Sequence, residues 1–255
     1  MDLSKFQEEL ARQGIDIVHP LDVRWYNEHV VEHELPLSAL PTLDRQDGTL
    51  ALLIGNSRAL WAPFLAWIRA QPDPTMPDPL DTFISSVINL AVEKLTSVHG
   101  TRVVHDIFWP WEKAGRMVSM QRAAVASAMC YHDTESQLAI HPKYGAWVAF
   151  RAVVVIDAPP PCTLAPRQLA CLLSPEEKAA AREAMAAALC ASDEANLCTQ
   201  LHGAKGMERD VRLAWAALRD CVLIGKEERY SEAQLTYHYT KDQAVLMQAL
   251  ADSQP

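Results

Sequence analysis

The chain has 255 residues, 49% hydrophobic and 22% charged, with a formal net charge of −9 at pH 7. This is the composition of a globular protein, and the length allows one large domain or two small ones. The acidic balance and the absence of a Lys/Arg-rich block argue against binding to nucleic acid or to an anionic membrane. The sequence shows neither a secretion signal nor an apolar run of about 18 residues, so we expect a cytoplasmic protein.

The predicted elements of the first half alternate between helices and short apolar strands. Leu3, Phe6 and Leu10 recur at helical spacing, and Asp78-Pro79 is typical of a helix start. In chain order, the predicted elements are a helix over 2–13 ended by Gly14, a buried strand over 49–54, a helix over 57–70, a proline-rich loop over 72–79, a helix from 78 to about 99 ended by Gly100, and a strand over 101–108.

The second half predicts two further strands and three helices. Residues 174–177 (SPEE) form a capping box with proline at the first helical position. The predicted elements are a helix over 118–131, a β-hairpin of 137–141 and 146–156 turned at 142–145, a helix over 174–191, and a final helix over 231–251.

These elements indicate an α+β fold with a largely antiparallel sheet flanked by helices. They do not alternate strictly as β-α-β, and the sequence contains no internal repeat. Gly55 stands alone after its strand, without the Gly-rich loop of a Rossmann or P-loop nucleotide site. The six cysteines include no C-x-x-C pair, which argues against a thiolate metal site and against a dithiol redox motif.

Residues 29–33 (HVVEH) match the inverted zinc-protease motif H-x-x-E-H. Two histidines four residues apart share a helix face and are able to bind one zinc ion. Pro36 follows closely, however, and the motif also needs a longer helix and a third ligand. We therefore predict no metal at this position.

Arg151 lies within the apolar segment 146–156. Because side chains alternate along a strand, Trp147, Arg151 and Val153 share one face, and the opposite face is also apolar. This pattern is typical of a central strand that carries a guanidinium group. An arginine in such a place either pairs with a structural carboxylate or binds an anionic ligand, and the pattern alone favours the structural pair.

Four other segments are weaker candidates. The aromatic pair in residues 24–27 (RWYN) is typical of a ligand pocket or, more often, of core packing. Arg219-Asp220 and residues 228–232 (ERYSE) are read as a solvated charge cluster and a helix cap at Ser231. A nucleophilic Cys–His pair at residues 130–132 (CYH) depends on geometry that a sequence does not give.

Three segments, in the same order along the chain, resemble characteristic segments of the CblC cobalamin-trafficking proteins, which are cyanocobalamin decyanases and alkylcobalamin dealkylases. Residues 23–27 (VRWYN) are similar to V-x-W-Y-N. Residues 140–151 (IHPKYGAWVAFR) are similar to I-H-P-[RK]-[FY]-G-G-W-F-A-I-R. Residues 228–237 (ERYSEAQLTY) are similar to E-R-Y-S-E-x-Q-x-x-Y.

The resemblance implies a flavin-reductase (nitroreductase-like) fold that forms a single cobalamin-processing domain over 1–255. It implies a cavity for cobalamin with its lower base detached from cobalt, and two reactions at the upper ligand. Reduced flavin, either FMN or FAD, supplies electrons for removal of cyanide, and the thiolate of glutathione accepts alkyl groups. It also implies transfer of cobalamin to a downstream trafficking protein, and it leaves a homodimer open.

The resemblance further implies roles for individual residues. Arg151 and Arg219 match arginines of the family, and we expect them to bind the carboxylates of glutathione, which planar guanidinium groups bind well. No catalytic side chain and no bound metal are predicted. The residues expected on the cobalamin or flavin side of the cavity are Tyr131, Ser136, His141 and Trp147.

Some positions depart from the family pattern. Val245 stands where the family often has a third glutathione-binding arginine, and Lys241 offers a charge without a planar fork. Ala139 and Val125 replace a cysteine and a histidine, and residues 160–212 are expected to be a helical insertion or cap. Two alternatives therefore stay open: a cobalamin-binding chaperone with little dealkylase activity, and an ordinary flavin nitroreductase.

Overall fold

The computed structural model of the chain describes residues 2–98, 101–113, 115–161, 166–202 and 208–253. None of the helices in these ranges combines the length and the apolar character needed to cross a bilayer. The chain divides into two compact units: unit 1 comprises Met1–Tyr131 and Val148–Ala170, and unit 2 comprises His132–Trp147 and Cys171–Pro255.

Helices and strands are numbered in chain order. The helices of the described part are α1 (Leu3–Arg12), α2 (Val23–Glu32), α3 (Trp61–Arg69), α4 (Pro79–Thr96), α5 (Met120–Ala126), α6 (Pro175–His202), α7 (Glu208–Asp220), α8 (Glu232–Thr240) and α9 (Gln243–Asp252). The strands are β1 (Ile17–Asp22), β2 (Leu50–Asn56), β3 (Ser97–Val98), β4 (Thr101–Arg102), β5 (His105–Phe108), β6 (Tyr131–His132), β7 (Ala139–Ile140) and β8 (Ala149–Ile156).

Unit 1 contains a four-stranded antiparallel sheet in the order β1-β2-β8-β5. Every residue of the central strand β2 is buried, as its continuous apolar sequence indicates. Burying each Leu, Ile or Val side chain contributes about 1.5–3 kcal/mol relative to leaving it exposed. Strand β1 contains Pro20, which an edge strand tolerates because its outer side needs no ladder hydrogen bond.

Helices cover the sheet of unit 1 and complete its core. Helix α5 packs on β2 and β8, and α2 packs on α5 and β1. Helices α1 and α3 both pack on α4, where the rings of Phe64 and Trp67 lie 5.8 Å and 5.3 Å from that of Phe83. The predicted fold class, α+β with an antiparallel sheet flanked by helices, is therefore confirmed.

Unit 2 is mainly helical, with α6 packed on α7, α7 on α8, and α8 on α9. The predicted capping box begins α6: the Ser174 N–H donates to Glu177 at 2.8 Å, and the Glu177 N–H donates to the Ser174 hydroxyl at 3.1 Å. The same Glu177 carboxylate accepts the N–H of Leu223 at 2.8 Å. It therefore ties the start of α6 to the segment that follows α7.

Most of the predicted elements are present in the structure. Gly14, Ser57 and Ser231 lie at the predicted helix boundaries, with the two serine side chains accepting backbone N–H groups. Gly100 and residues 203–207 lie outside the described residues. The confirmed predictions are the helices over 2–13, 57–70, 78–99 and 174–191, the loop over 72–79 and the buried strand over 49–54.

The predicted β-hairpin of 137–141 and 146–156 is wrong as a pairing. The turn itself exists, because His141 and Gly145 exchange backbone hydrogen bonds of 2.9 and 2.8 Å. Beyond the turn, β7 pairs with β6, whereas β8 inserts between β2 and β5. The sequence predicted both strands, but it did not show that two distant segments pair with β8 on either side.

Two predicted helices are interrupted. The helix over 118–131 ends at Ala126, because Ala128 has φ +52° and the N–H groups of Met129 and Cys130 both turn back to the Ala124 oxygen. The final helix over 231–251 splits into α8 and α9. At the break Lys241 has φ +52°, and the Asp242 side chain caps α9.

The strand predicted over 101–108 is two short strands. Strand β4 pairs with β3, and β5 pairs with β8. Strand β1 and helices α2 and α7 were not predicted. Strand β1 contains Pro20, and proline weakens a strand prediction because it removes a ladder donor and is found in strands mainly at sheet edges.

Candidate functional site

Arg151 of unit 1 occupies a β-bulge in the central strand β8. Gly55 pairs with Phe150 and Ile54 pairs with Ala152, so Arg151 is the extra residue between two consecutive partners. A bulge of this kind redirects a side chain and is common beside functional sites. The predicted central strand is confirmed over Ala149–Ile156. The predicted shared face of Trp147, Arg151 and Val153 is wrong, because Trp147 precedes β8 and the bulge at Arg151 breaks the alternation of side chains.

Asn56, at the end of β2, orients the Arg151 side chain. The Arg151 Nε donates to the Asn56 Oδ1 at 2.6 Å, and Asn56 is fully buried. The Asn56 side-chain nitrogen in turn donates to the Ser57 carbonyl at 2.7 Å. Because an amide oxygen carries no formal charge, the bond to Asn56 aligns the half-buried guanidinium without neutralising it.

The segment VRWYN has structural partners in unit 1. Asp22 is fully buried, caps α2 through the Arg24 N–H, and accepts the Arg24 guanidinium at 2.6 Å. The Tyr26 hydroxyl accepts the Ser119 N–H at 3.1 Å, and Asn27 makes two hydrogen bonds to the backbone of Leu40. Core packing, the favoured interpretation of this segment, is confirmed for Tyr26, which is fully buried, whereas Trp25 is half-buried.

The H-x-x-E-H segment lies in and just after α2. Glu32 ends the helix, and His33 caps it with its Nδ1 donating to the His29 carbonyl at 2.9 Å. Within the described ranges, no group of three or more His, Cys, Asp or Glu side chains is arranged to bind a metal ion.

In unit 2, the turn of the hairpin motif packs directly against the segment before ERYSE. Gly145 has φ +56°, and a Cβ there would lie 1.8 Å from the Ile224 oxygen. Gly225 has φ +69°, and a Cβ there would lie 2.3 Å from the Tyr144 carbonyl carbon. The two backbones approach this closely because glycine, which has no Cβ, occupies both positions. The turn of the hairpin motif is thereby held against the segment that leads into ERYSE.

The imidazole of His141 stabilises the same turn. Its Nδ1 accepts the N–H groups of Lys143 and Tyr144 at 3.0 and 3.2 Å. Since Nδ1 is the acceptor, the proton of the neutral ring is on Nε2. His141 is half-buried, and its ring centroid lies 4.8 Å from that of Tyr144.

Trp147 is the centre of an aromatic–arginine cluster in unit 2, which we define by Trp147, Arg219, Arg229, Tyr230 and Tyr239. The Trp147 indole is fully buried and lies 5.5 Å from the Tyr230 ring. The guanidinium carbons of Arg229 and Arg219 lie 5.4 and 5.7 Å from its ring centroid. Both distances are within the range of a cation–π interaction.

The two arginines of the cluster differ in their partners. Arg229 donates to Asp220 and to Glu232, both at 2.8 Å, and these two bonds raise its pKa. The Arg219 Nη1, by contrast, is buried without a hydrogen-bond partner among the described residues. A buried guanidinium nitrogen that makes no hydrogen bond is costly, which marks Arg219 as the arginine equipped for an added anion.

Tyr239, on α8, is the second ring beside Arg219. The Arg219 guanidinium carbon lies 5.7 Å from the Tyr239 ring centroid. Burial raises the pKa of Tyr239, and the positive charge of Arg219 acts in the opposite direction. Sequence analysis missed Tyr239 because it lies two residues beyond the ERYSE-type segment, and an aromatic residue on a helix carries no ligand signal by itself.

The remaining predicted site residues lie in both units. Tyr131 is the last residue of its segment of unit 1, and it is half-buried. Ser136 of unit 2 is buried, and its N–H and hydroxyl both donate to Asp133 at 2.9 and 2.6 Å. The structure thus brings Trp147 and Arg219 together in unit 2, while Arg151 belongs to unit 1. Ligand roles for all six residues stay predictions.

The two positions discussed for the third glutathione-binding charge, Val245 and Lys241, lie on α9 and just before it. Val245 is half-buried in the first turn of α9. Lys241 is exposed, and its Nζ lies 5.7 Å from the Tyr237 ring. Val245 offers no charge to an anion, and Lys241 offers only a point charge.

Comparison with known proteins identifies the group to which this chain is related. The family model described as "Methylmalonic aciduria and homocystinuria type C family" (MMACHC) matches residues 14–190. The chain belongs to the MMACHC family. The match covers VRWYN, the hairpin motif and Arg151, whereas Arg219 and ERYSE lie beyond it.

Curated relatives of the MMACHC family agree with this assignment. A Mus musculus protein named cyanocobalamin reductase / alkylcobalamin dealkylase is 28% identical over 252 residues, which cover 92% of this chain and 77% of that protein. The Homo sapiens protein of the same name is 25% identical over 253 residues, covering 92% and 76%.

A solved structure also resembles this chain. The crystal structure of a B12-trafficking protein CblC from C. elegans, described as a homologue of human MMACHC, matches with a TM-score of 0.66. The match covers 96% of this chain and 95% of that one, at 18% sequence identity. At this identity the likeness shows a shared fold.

Proposed function

We propose that this protein processes cobalamin by removing its upper axial ligand, through reductive decyanation and through glutathione-dependent dealkylation. Membership of the MMACHC family and the activity for which the mouse and human relatives are named support cobalamin as the substrate. We propose that residues 1–255 act as one processing domain with a nitroreductase-like fold and a cavity for base-off cobalamin. In this view residues 160–212 form an insertion that caps it.

The observation that carries the thiol part of the proposal is the buried Nη1 of Arg219, which lies beside two aromatic rings and has no hydrogen-bond partner among the residues that the structure describes. Glutathione has two carboxylates at neutral pH, and a guanidinium binds a carboxylate through two parallel hydrogen bonds. Arg151 is the proposed second carboxylate-binding group, aligned by Asn56. Thus one guanidinium is aligned by an amide and the other by aromatic rings.

In the proposed dealkylation, the glutathione sulfur forms a bond to the alkyl carbon of cobalamin while the cobalt–carbon bond breaks. The electron pair of that bond stays on cobalt, so the products are a thioether and cob(I)alamin. The thiolate must stay close to the alkyl carbon, and fixing both carboxylates lowers the entropic cost of this approach. Arg151 and Arg219 therefore act by binding and orientation.

In the proposed decyanation, reduced FMN or FAD supplies, when bound, the electrons that reduce cobalt as cyanide leaves. Tyr131 fits a flavin because a half-buried ring offers a flat apolar surface to an aromatic ring system. Ser136 fits less well, since its N–H and hydroxyl both donate to Asp133. His141 is proposed to contact the ligand from the turn at 141–145, and Trp147, beside the Arg219 guanidinium, is proposed to position that arginine.

The proposal is tested by adding cyanocobalamin to the purified protein and recording the visible spectrum, first alone and then with reduced FMN or FAD. A shift to the base-off spectrum, followed by loss of cyanide under reduction, is the expected result. An unchanged spectrum on mixing would leave an ordinary flavin nitroreductase as the better account. Methylcobalamin with excess glutathione then tests dealkylation through the appearance of S-methylglutathione.

A cobalamin-binding chaperone with little dealkylase activity is the second candidate, and Val245 favours it. Placing an arginine there tests the difference: we expect Val245→Arg to lower the glutathione KM by about five-fold, the effect of one added exposed charge-assisted bond. Val245→Gln, of similar reach but neutral, is the control. Equal kinetics for the two variants would show that position 245 does not limit glutathione use.

The biological setting belongs to the same proposal. A protein that prepares cobalamin must release it to a downstream cobalamin-trafficking protein, and the proposed location is the cytoplasm. A homodimer is the proposed assembly. Sedimentation of the protein with and without cobalamin tests the assembly, because a species of one chain mass in both conditions would exclude it.

A further inference from the structure

The planar group of Arg219 is aligned by ring faces. Its guanidinium carbon is 5.7 Å from both the Trp147 and the Tyr239 centroids, and its Nη1 is buried without a hydrogen-bond partner in the described part of unit 2. Aromatic faces attract a cation through the ring quadrupole and consume none of its N–H donors. An arginine positioned in this way keeps its donors available for a carboxylate.

Trp147 and Tyr239 contribute to this arrangement differently. Trp147 is fully buried in the core of unit 2 and also lies 5.4 Å from the guanidinium carbon of Arg229, so its replacement would disturb the whole cluster. Tyr239 is half-buried on α8 and packs against the edge of the same core. Tyr239 is therefore the aromatic residue of the two whose substitution is expected to disturb the fold less.

We propose that Tyr239 is a positioning residue for the thiol co-substrate: its ring fixes the Arg219 guanidinium so that Nη1, which has no hydrogen-bond partner among the described residues, binds a carboxylate of a glutathione-type peptide. This inference rests on the proposed function and deepens it. The ring face carries the effect, so the phenol hydroxyl is dispensable. Tyr239 touches neither cobalamin nor sulfur in this role and acts through Arg219.

The test measures binding of S-methylglutathione, a thioether that does not react, to the protein by calorimetry. We expect Tyr239→Leu to weaken binding by about five-fold, the loss of one partly buried cation–π interaction. Tyr239→Phe keeps the ring and is expected to bind within about two-fold of the native protein. In dealkylation assays the same change appears in the glutathione KM while kcat is retained.

Phe108→Leu is the matched control. Phe108 of unit 1 is buried beneath the Arg116 guanidinium, 4.4 Å from its ring centroid, so this variant loses an aromatic–arginine pair outside the cluster. It is expected to lose stability while binding S-methylglutathione like the native protein. A stability loss in Tyr239→Leu can then be separated from a loss of ligand affinity.

Two results would overturn the role of Tyr239 without affecting the proposed function. The first is native S-methylglutathione affinity in Tyr239→Leu. The second is equal weakening of binding in Tyr239→Leu and Tyr239→Phe, which would assign the effect to the hydroxyl. In both cases Arg219→Ala still weakens binding, and the proposed function stands. If the native protein binds no S-methylglutathione and turns over no methylcobalamin with glutathione, the proposed thiol chemistry fails, and the role of Tyr239 fails with it.

Discussion

The two arginines proposed to bind glutathione are positioned by different physical means in the two units. In unit 1, Arg151 sits at a bulge of a buried sheet, and the amide of Asn56 fixes it through one short hydrogen bond. In unit 2, Arg219 is fixed by the faces of Trp147 and Tyr239. A hydrogen bond fixes the direction of a guanidinium group and occupies one of its N–H donors. An aromatic face fixes the plane of the guanidinium group and occupies none of its donors.

The largest effect is expected when the close backbone approach of unit 2 is opened. Gly145→Ala places a methyl group 1.8 Å from the Ile224 oxygen at a positive φ, and we expect a loss of about 2–4 kcal/mol in unfolding free energy. Hydrogen exchange should report faster opening around Trp147 and α7, with the β2 and β8 amides of unit 1 keeping their protection.

Gly115→Ala provides the control for Gly145→Ala. Gly115 also has a positive φ, +93°, but a Cβ there meets nothing within 4 Å. Gly115→Ala is therefore expected to lose only about 1–2 kcal/mol of unfolding free energy, the cost of a positive φ for a residue with a Cβ. Equal destabilisation by the two variants would mean that the contact between the two backbones contributes nothing to the stability of unit 2.

The next effect concerns Arg219 itself. Arg219→Ala removes the proposed carboxylate partner, and we expect the glutathione KM to rise by about 10–100-fold, as for loss of a charged hydrogen bond. Arg182→Ala, which removes an exposed arginine on α6 paired with Glu135, is the control and should leave KM unchanged. A native KM in Arg219→Ala would remove Arg219 from the binding site.

Arg151→Ala sharpens the comparison between the two units. We expect it to cut glutathione-dependent dealkylation by about ten-fold or more while sparing cobalamin binding, as seen in the base-off spectrum. Asn56→Ala should have a smaller effect in the same direction, because it loosens Arg151 without removing it. Native dealkylation by Arg151→Ala would show that its bond to Asn56 is purely structural.

The smallest expected effect concerns a thiol of unit 1. Burial raises the pKa of Cys130 to about 12, so its thiolate is scarce at neutral pH. We expect no alkylation of Cys130 by iodoacetamide in the folded protein, whereas the exposed Cys171 and Cys190 react. Because the pKa is raised, this burial stabilises the protein below the unfolded thiol pKa and stops doing so as pH rises toward 12.

Local signals in the sequence predicted the elements that local physics determines. The capping box at Ser174 and the continuous apolar run of β2 both appear where they were expected. Strand pairing was not predictable in the same way, because β8 joins β2 and β5, which are distant in sequence. The breaks at Ala128 and Lys241 depend on positive φ values that tertiary packing imposes on ordinary residues.

The candidate site shows the same division. A family resemblance pointed to Arg151 and Arg219, since composition and spacing alone favoured a structural pair for Arg151. The partners of these arginines, Asn56 and Tyr239, come from other elements of the chain. A single sequence contains no signal for such contacts, because they form only when remote segments pack together.

Pro20 in the outer strand of the unit 1 sheet affects how copies of the chain behave when concentrated. A strand at a sheet border normally offers a row of amide donors to which a passing chain can attach and start a fibril. The pyrrolidine nitrogen removes one donor from the middle of β1, between Ile17 and Asp22. The edge formed by β1 is therefore a poor template for the addition of further strands. This protects a sheet whose next strand, β2, is entirely buried.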